Sequence, residues 1–410
     1  MTDFFGLGIA PNLLKTLEEL KLTVPTPIQS KAIPLGIQGK DLVGIAQTGT
    51  GKTLAFSIPM LQQISATKGK GLVILPTREL ALQVEETVRK LGGKFGLRTA
   101  VLIGGASMHM QLQALKKNPH VIVATPGRLI DHLEQRTIRL NEVKILVLDE
   151  ADRMLDMGFA PQIDRILREV PVDRQTMLFS ATMPAAIAKI ASRHMKLPVS
   201  IEIAPAGTTA ERVEQEMFVV PKQDKIRLLE KLLGEYHGTV LVFSRTKHGA
   251  RKICRSVKAM GYGSAELHSD RSLAQRREAL EGFKSGKYRV LIATDIAARG
   301  IDVKGIELVV NFDLPDQAED YVHRIGRTGR AGRSGKAISF ATPDQSGDIR
   351  AIERLVRTRL PAQRPPANLP QARVMPYEAP ESPRKFAPRG GRGGRRNSAP
   401  PQRSAADRRW

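Results

Sequence analysis

The stretch Leu42-Val43-Gly44-Ile45-Ala46-Gln47-Thr48-Gly49-Thr50-Gly51-Lys52-Thr53 passes from an apolar run, through a glycine-rich turn, into a helical pattern beginning at Leu54. Strand, glycine loop and helix in that order are the setting of a phosphate-binding P-loop. The glycines let backbone N–H groups turn inward around phosphate oxygens, and the helix N-terminus adds its positive end. Lys52 would reach the β- and γ-phosphates, and the Thr53 hydroxyl would ligate Mg²⁺. The first position of the usual G-x-x-x-x-G-K-T pattern is Ala46 here instead of Gly.

Outward from this stretch, short apolar runs alternate with amphipathic ones. Candidate strands are Leu42–Ala46, Leu72–Leu75, Ala100–Ile103, Val121–Ala124, Ile145–Leu148 and Met177–Phe179, then Met217–Val220, Val240–Phe243, Val290–Ala293, Leu308–Asn311 and Ala337–Phe340. Helical patterns such as Glu79–Leu91, Lys247–Met260 and Leu273–Phe283 lie between them. Continuous apolar strands alternating with helices indicate α/β domains whose parallel sheets are covered on both faces. Ala204-Pro205-Ala206-Gly207-Thr208-Thr209 reads as a linker. The expected division is one domain over 1–206, a second over 207–360 and a tail over 361–410, with the two halves as distant copies of one architecture.

A length of 410 residues suits two domains or slightly more, and 41% hydrophobic residues allow each a core. The formal charge of +23 calls for a polyanionic partner, nucleic acid before an anionic membrane surface. The single cysteine, Cys254, excludes an internal disulfide and a multi-cysteine metal site, and is expected as a small buried apolar residue. Met1-Thr2-Asp3-Phe4-Phe5 does not resemble a signal peptide, and no apolar run approaches 18 residues, so a cytoplasmic protein is expected. The charge is uneven: residues 361–410 hold eleven Lys/Arg against three Asp/Glu, ten prolines and the run Arg389-Gly390-Gly391-Arg392-Gly393-Gly394-Arg395-Arg396. That composition predicts a disordered segment; its Arg-Gly-Gly repeats resemble RNA-binding segments, which would add affinity without reading sequence, and the alternative is a solubilising, charge-rich end.

Two further clusters complete a candidate site. Asp149-Glu150 follows the run Ile145–Leu148, so it falls at a strand's carboxyl end, where α/β sheets place ligands. Alone it would read as an acidic helix start. With a P-loop about a hundred residues upstream, Asp149 would hold Mg²⁺ through water and Glu150 would orient and deprotonate an attacking water. In the other half, His323-Arg324-Ile325-Gly326-Arg327-Thr328-Gly329-Arg330 spaces arginines three apart, on one helical face or one turn, where they can present forked donors to a transferring phosphate; alone the run would read as a solvated basic patch. If they complete the site, hydrolysis depends on the two domains closing together.

These residues resemble the DEAD-box ATP-dependent RNA helicases. The tetrapeptide is Asp149-Glu150-Ala151-Asp152, and further motifs follow in the family's order from Phe4 to about residue 345. Phe4 and Pro25-Thr26-Pro27-Ile28-Gln29 match the motif that reads adenine. Pro76-Thr77-Arg78-Glu79-Leu80-Ala81, Gly104-Gly105 and Thr125-Pro126-Gly127-Arg128 match segments that grip the RNA backbone. Ser180-Ala181-Thr182 matches the motif coupling ATP state to strand separation. Val242-Phe243, Gln275 with Arg276, and Thr294 to Asp302 continue the set. Arg153-Met154-Leu155-Asp156-Met157-Gly158-Phe159 and the Arg-rich tail look most like the bacterial RhlE-type subgroup.

The resemblance implies two tandem RecA-like domains with ATP in the cleft. Phe4, Gln29, Thr48, Gly49, Thr50, Gly51, Lys52, Thr53, Asp149 and Asp302 would bind ATP, with Mg²⁺ at Thr53 and Asp149. Glu150, Lys52, Arg327 and Arg330 would be catalytic, the two arginines as fingers. Pro76, Thr77, Arg78, Gly105, Thr125, Arg128 and Thr294 would contact RNA phosphates and sugars, and Asp152, Ser180, Thr182 and His323 would couple the sites. Such backbone contacts carry no sequence information. Two departures are Lys21-Leu22 in place of a Gly-aromatic pair before the adenine motif, and His268-Ser269-Asp270 in place of His-Gly-Asp. The implied function is ATP-driven, local unwinding of short RNA duplexes or remodelling of RNA–protein complexes. An ATP-gated RNA clamp and a DNA-directed motor of the same fold are the competing readings.

Overall fold

The computed structural model describes residues 3–47, 49–203, 213–298, 303, 305–329, 335–356, 358–366 and 368–371. The first sheet comprises β1 (Leu42–Ile45), β2 (Lys70–Ile74), β3 (Thr99–Leu102), β4 (Val121–Ala124), β5 (Val143–Leu148), β6 (Gln175–Ser180) and β7 (Val199–Glu202). Its spatial order is β3-β4-β2-β5-β6-β1-β7, with every pair parallel. The second comprises β8 (Val213–Val219), β9 (Val240–Phe243), β10 (Ser264–Leu267), β11 (Val290–Ala293), β12 (Leu308–Asn311), β13 (Gly335–Ala341) and β14 (Ala362–Gln363). Its order, β10-β11-β9-β12-β13-β8-β14, is the first order with seven added to each number. The second half is therefore a copy of the first architecture, as the sequence suggested.

Both faces of each sheet are covered, which is why the strands read as continuous apolar runs. In the first domain, Phe56 and Phe179 pack at 5.6 Å in a core that includes Leu13, Ile28 and Val84 on one face. Leu129, Met154, Ile163 and Ile187 close the other face. In the second domain, Phe283, Tyr321 and Ile352 cover one face, and Leu228, Ile253 and Cys254 the other. Cys254 is free and buried, as expected.

Three strands escape the apolar-run criterion. β7 lies at an edge and exposes alternate residues, and β10 is Ser-Ala-Glu-Leu, with Glu266 buried against Arg271. β14 corrects the expected start of the tail at 361. It pairs with β8 in the position that β7 holds beside β1, and Arg227 donates to the carbonyls of Pro370 (2.6 Å) and Leu369 (3.4 Å). Residues 361–366 and 368–371 thus belong to the described second domain; the remainder of the expected tail and the expected linker lie outside the described residues. Among the described residues, no helix is long and apolar enough to cross a membrane.

Because the strands are parallel, their carboxyl ends share one edge of each sheet. The P-loop follows β1, Pro76–Arg78 follows β2, Gly104-Gly105 follows β3, Thr125 follows β4, Asp149-Glu150 follows β5 and Ser180 closes β6. Residues scattered over more than a hundred positions are gathered at one edge by topology alone.

Candidate active site

The helix after β1 begins at Lys52, two residues before the expected Leu54. Gly49 and Gly51 take φ of 88° and 92°, the left-handed region that glycine enters without strain. A Cβ on Gly51 would stand 2.3 Å from Gln29 Nε2, so nothing larger fits there unless the amide moves. Gln29 is held at both ends of its amide: Nε2 donates to Gly51 O at 3.0 Å, and Oε1 accepts from Thr26 N at 2.9 Å as half of a capping box, which leaves one N–H and one lone pair of the amide for a ligand. It therefore braces the phosphate loop. Phe4, expected at the adenine, is buried in the first core. The Thr50 hydroxyl donates to Gln47 O at 2.7 Å, Thr53 is half-buried in the helix's first turn, and Thr48 lies outside the described residues.

The Lys52 ammonium is buried, donates to Ala46 O at 2.9 Å and stands 3.7 Å from Glu150 Oε1. Glu150 has φ 55°, a costly conformation for a residue with a Cβ, and strain of this kind concentrates at functional sites. The turn it makes directs Oε1 toward Lys52 and Oε2 to 2.9 Å from Arg153 Nη1. Asp149, whose Oδ1 accepts from Glu150 N at 2.9 Å, has its pKa pushed up to about 7. Burial is the main cause; Lys52 acts in the opposite direction, and Glu150 adds to the rise. A carboxyl in that state is poised to release its proton when a cation arrives. The hard oxygen donors of Asp149 and the Thr53 hydroxyl are of the kind that suits Mg²⁺ shared with nucleotide phosphates.

Asp152 ties the acidic tetrapeptide to the next motif. Its Oδ2 accepts from Ala181 N (3.0 Å), Thr182 N (2.9 Å) and Thr182 Oγ1 (3.0 Å), while Ser180 Oγ accepts from Asp152 N at 3.2 Å. A displacement of one motif is therefore imposed on the other.

Arg153 extends this network to the second domain, a role the sequence reading did not give it, although its i+3 spacing from Glu150 on a helix was a signal. It lines a narrow crevice with Phe243, Asp295, His323, Arg324 and Arg327. Arg327 is buried, with Nε donating to His323 O at 3.2 Å. Arg324, which its spacing grouped with Arg327 and Arg330 as a donor to phosphate, is instead a strut: Nε and Nη2 bond both Asp295 oxygens at 2.5 and 2.7 Å, Nη1 bonds Asp313 O at 2.6 Å, and the guanidinium lies 5.1 Å from the Phe243 ring centre, so its fork is already occupied. His323 Nδ1 is 3.8 Å from Asp320 Oδ1. Arg330 and Asp302 lie outside the described residues.

The expected RNA contacts lie at the strand-end edges, all but Thr294 on the first sheet. Thr77 caps its helix by accepting from Leu80 N at 3.3 Å. Arg78 packs against Gly104 and Gly105, whose φ is 75°; a Cβ on Gly105 would stand 2.3 Å from Arg78 Nη1. Pro76 is buried, and Thr125 stands at the N-cap position of the helix opened by Pro126, with its side chain making no capping bond. Arg128 Nη1 donates to Ala106 O at 3.1 Å, and Thr294 is half-buried beyond β11. Gln275 and Arg276 separate into two roles. Gln275 forms a capping box with Ser272, whereas Arg276 Nη2 meets Glu79 Oε2 of the first domain at 2.7 Å, both side chains buried.

A braced P-loop, a carboxylate pair at the neighbouring strand end and a second α/β domain presenting arginines beside them define a tandem-domain P-loop nucleoside triphosphatase. Comparison with known proteins is sharper. Residues 26–190 match the family model of the DEAD/DEAH box helicases, and residues 224–332 match the helicase conserved C-terminal domain. The chain is 44% identical over 369 residues to the DEAD-box ATP-dependent RNA helicase CshA of Geobacillus kaustophilus, covering 89% of this chain and 79% of that one. It is 46% identical over 343 residues to the ATP-dependent rRNA helicase RRP3 of Yarrowia lipolytica, covering 83% and 72%. The structure resembles S. cerevisiae Dbp5 bound to RNA and ADP BeF3, with a TM-score of 0.78, 33% identity and coverage of 89% and 95%. The chain belongs to the DEAD-box ATP-dependent RNA helicase family.

Proposed function

We propose the following division of labour for an ATP-dependent RNA helicase that separates short RNA duplexes locally. The observation that carries it is the continuous chain Lys52–Glu150–Arg153, which ends in the crevice that Arg327 lines. It makes the hydrolytic carboxylate sensitive to the position of the second domain.

Gly49 to Thr53 cradle the triphosphate, with Lys52 exchanging its Ala46 carbonyl for phosphate oxygens. Glu150 orients the attacking water and accepts its proton. Arg327, with Arg330 from the same motif, stabilises charge on the transferring phosphate; Asp302 contacts the ribose. Asp149 and the Thr53 hydroxyl would hold Mg²⁺, largely through water, and the ion would supply charge neutralisation at the phosphates. Asp152, Ser180 and Thr182 transmit nucleotide state to the strand-end edge, where Thr77, Arg78, Gly105, Thr125, Arg128 and Thr294 hold the RNA backbone. A sequence-independent grip follows, because contacts to phosphate and sugar carry no base code.

The narrower RhlE-type subgroup rests on Arg153–Phe159 and the Arg-rich segment alone, since the relatives cited bear the names CshA and RRP3. The cytoplasm is the compartment of this reading, supported by the single cysteine and the RNA substrate. The test is the ATPase rate without polymer, with single-stranded RNA and with DNA of equal length. Stimulation by RNA well above that by DNA is expected; equal stimulation would sink the assignment.

A further inference from the structure

The helix Lys247–Ala259 carries Lys247, Arg251, Lys252, Arg255 and Lys258, together with His248, and no acidic residue of its own. Three other helices with several cations balance them internally, although the shorter Ala185–His194, with Lys189 and Arg193, does not. Arg78–Gly92 has the pairs Glu85–Arg89 and Glu86–Lys90, Lys225–Glu235 has Lys231–Glu235, and Leu273–Lys284 has Arg277–Glu281. Here the relief comes from Asp270, 2.9 Å from Lys247 Nζ and 3.7 Å from Arg251 Nη2. Lys252, Arg255 and Lys258 are exposed and form no ion pair among the described residues. Like charges four apart destabilise a helix, and cations in its first turn oppose its dipole. The sequence keeps both penalties along the whole element.

The buried side, Ala250, Ile253, Cys254 and Val257, is seated on the second sheet, so the cations face solvent. The helix starts at the carboxyl end of β9, beside β11 and Thr294, and runs back along the domain away from that edge. From Lys247 to Lys258 it spans about 16 Å, with roughly one cation for each turn of about 5.4 Å.

We propose that Arg251, Lys252, Arg255 and Lys258 form an auxiliary RNA-backbone surface that takes the part of the strand or duplex arm extending beyond the strand-end contacts. The inference rests on the helicase reading. RNA fits better than an acidic protein because the stripe exposes no large apolar side chain that could anchor a protein interface. Its continuity with the edge carrying Thr294 leads a bound strand directly onto it.

The test uses the full chain with Lys252→Gln, Arg255→Gln and Lys258→Gln combined. Binding is measured from about 50 to 200 mM salt, to a single-stranded RNA just long enough to saturate ATPase stimulation and to the same RNA lengthened by a duplex arm. The unmodified protein gains affinity on lengthening. The variant is expected to lose most of that gain, roughly tenfold at low salt, with the slope of log K on log salt reduced by about 2 to 3, at 0.7 to 0.9 per lost phosphate contact. Turnover at saturating short RNA should persist, and the melting temperature should hold or rise because like charges have been removed. Lys252→Arg with Lys258→Arg should keep the gain. An undiminished gain overturns the proposal and leaves an acidic protein segment as the stripe's partner. Equal losses on short and long RNA also overturn it, by placing the stripe within the core contacts. Failure of the unmodified protein to bind any RNA would instead defeat the helicase reading.

Discussion

The two domains share one strand order and differ in what they do with the same lysine. Lys52 opens the helix after the first strand of its sheet, and Lys225 opens the helix after the first strand of the other. Both are buried, and both meet a carboxylate just beyond the fifth strand: Glu150 at 3.7 Å and Asp313 at 3.3 Å. The intervening loops separate them. The first contains Gly49 and Gly51 with positive φ; the second is Pro221-Lys222-Gln223-Asp224, with no glycine. Lys225 is locked on Phe312 O at 2.8 Å and on Asp313, with the Phe312 ring centre 5.6 Å away. Burial draws its pKa down despite Asp313. A common frame thus yields a phosphate cradle in one copy and a sealed strut in the other, and the freedom of two glycines decides which.

The comparison can be broken most sharply at the carboxylates. Glu150→Gln should lower RNA-stimulated turnover by about 10² to 10⁴ while ATP binding persists; Lys52→Ala should abolish nucleotide binding itself. Near-normal turnover by Glu150→Gln would remove it as the base. Lys225→Ala should do the reverse. ATP affinity stays, but removing the cation leaves the half-buried Asp313 carboxylate only its Ser244 and Arg245 N donors, which should cost on the order of 1–3 kcal/mol in denaturant unfolding. A variant that lost ATP affinity with unchanged stability would show that the second lysine is not a strut.

A smaller effect separates Asp149 from Phe312, which directly follows the corresponding fifth strand. The folded Asp149 carboxyl keeps its proton up to about 7, against 3.8 for the free group. The folded state then binds more protons in that window, so its stability falls as pH rises from about 4 to about 7 in nucleotide-free protein. Asp149→Asn should flatten that decline in a melting-temperature series, and an unchanged decline would place the titration elsewhere. The smallest effect tests β14 as the counterpart of β7. Truncation after 371 should leave the melting temperature within a degree or two and flatten the salt dependence of RNA binding. Truncation after 360 should also lower the melting temperature by several degrees. Equal melting temperatures would show β14 to be dispensable.

Much of the fold was legible because a parallel sheet covered on both faces writes its strands as unbroken apolar runs; Val121–Ala124 and Val290–Ala293 match residue for residue. Edge strands obey a different rule. β7 buries only part of its surface, and β14 is two residues in a proline-rich stretch, held by pairing with β8 that no local pattern announces. In the site, residues that need a fixed spacing from a loop or strand end were readable: Lys52, Glu150 and Asp152. Residues defined by a distant partner were not. Gln29 could be placed near a nucleotide from its motif, but its bond to Gly51 requires the fold. Arg276 could be singled out, but not its meeting with Glu79, almost two hundred residues earlier.

That last pair has a mechanical consequence. Glu79 and Arg276 are comfortable in two situations: apart in water, or in register and buried together. An offset between them leaves two dehydrated charges facing nothing, the costliest arrangement of the three. Because each sits on a different domain, the contact works as an alignment gauge, tolerating full separation and full register but penalising the positions between. Motion of the two halves should therefore be all-or-none at this point whatever occupies the cleft.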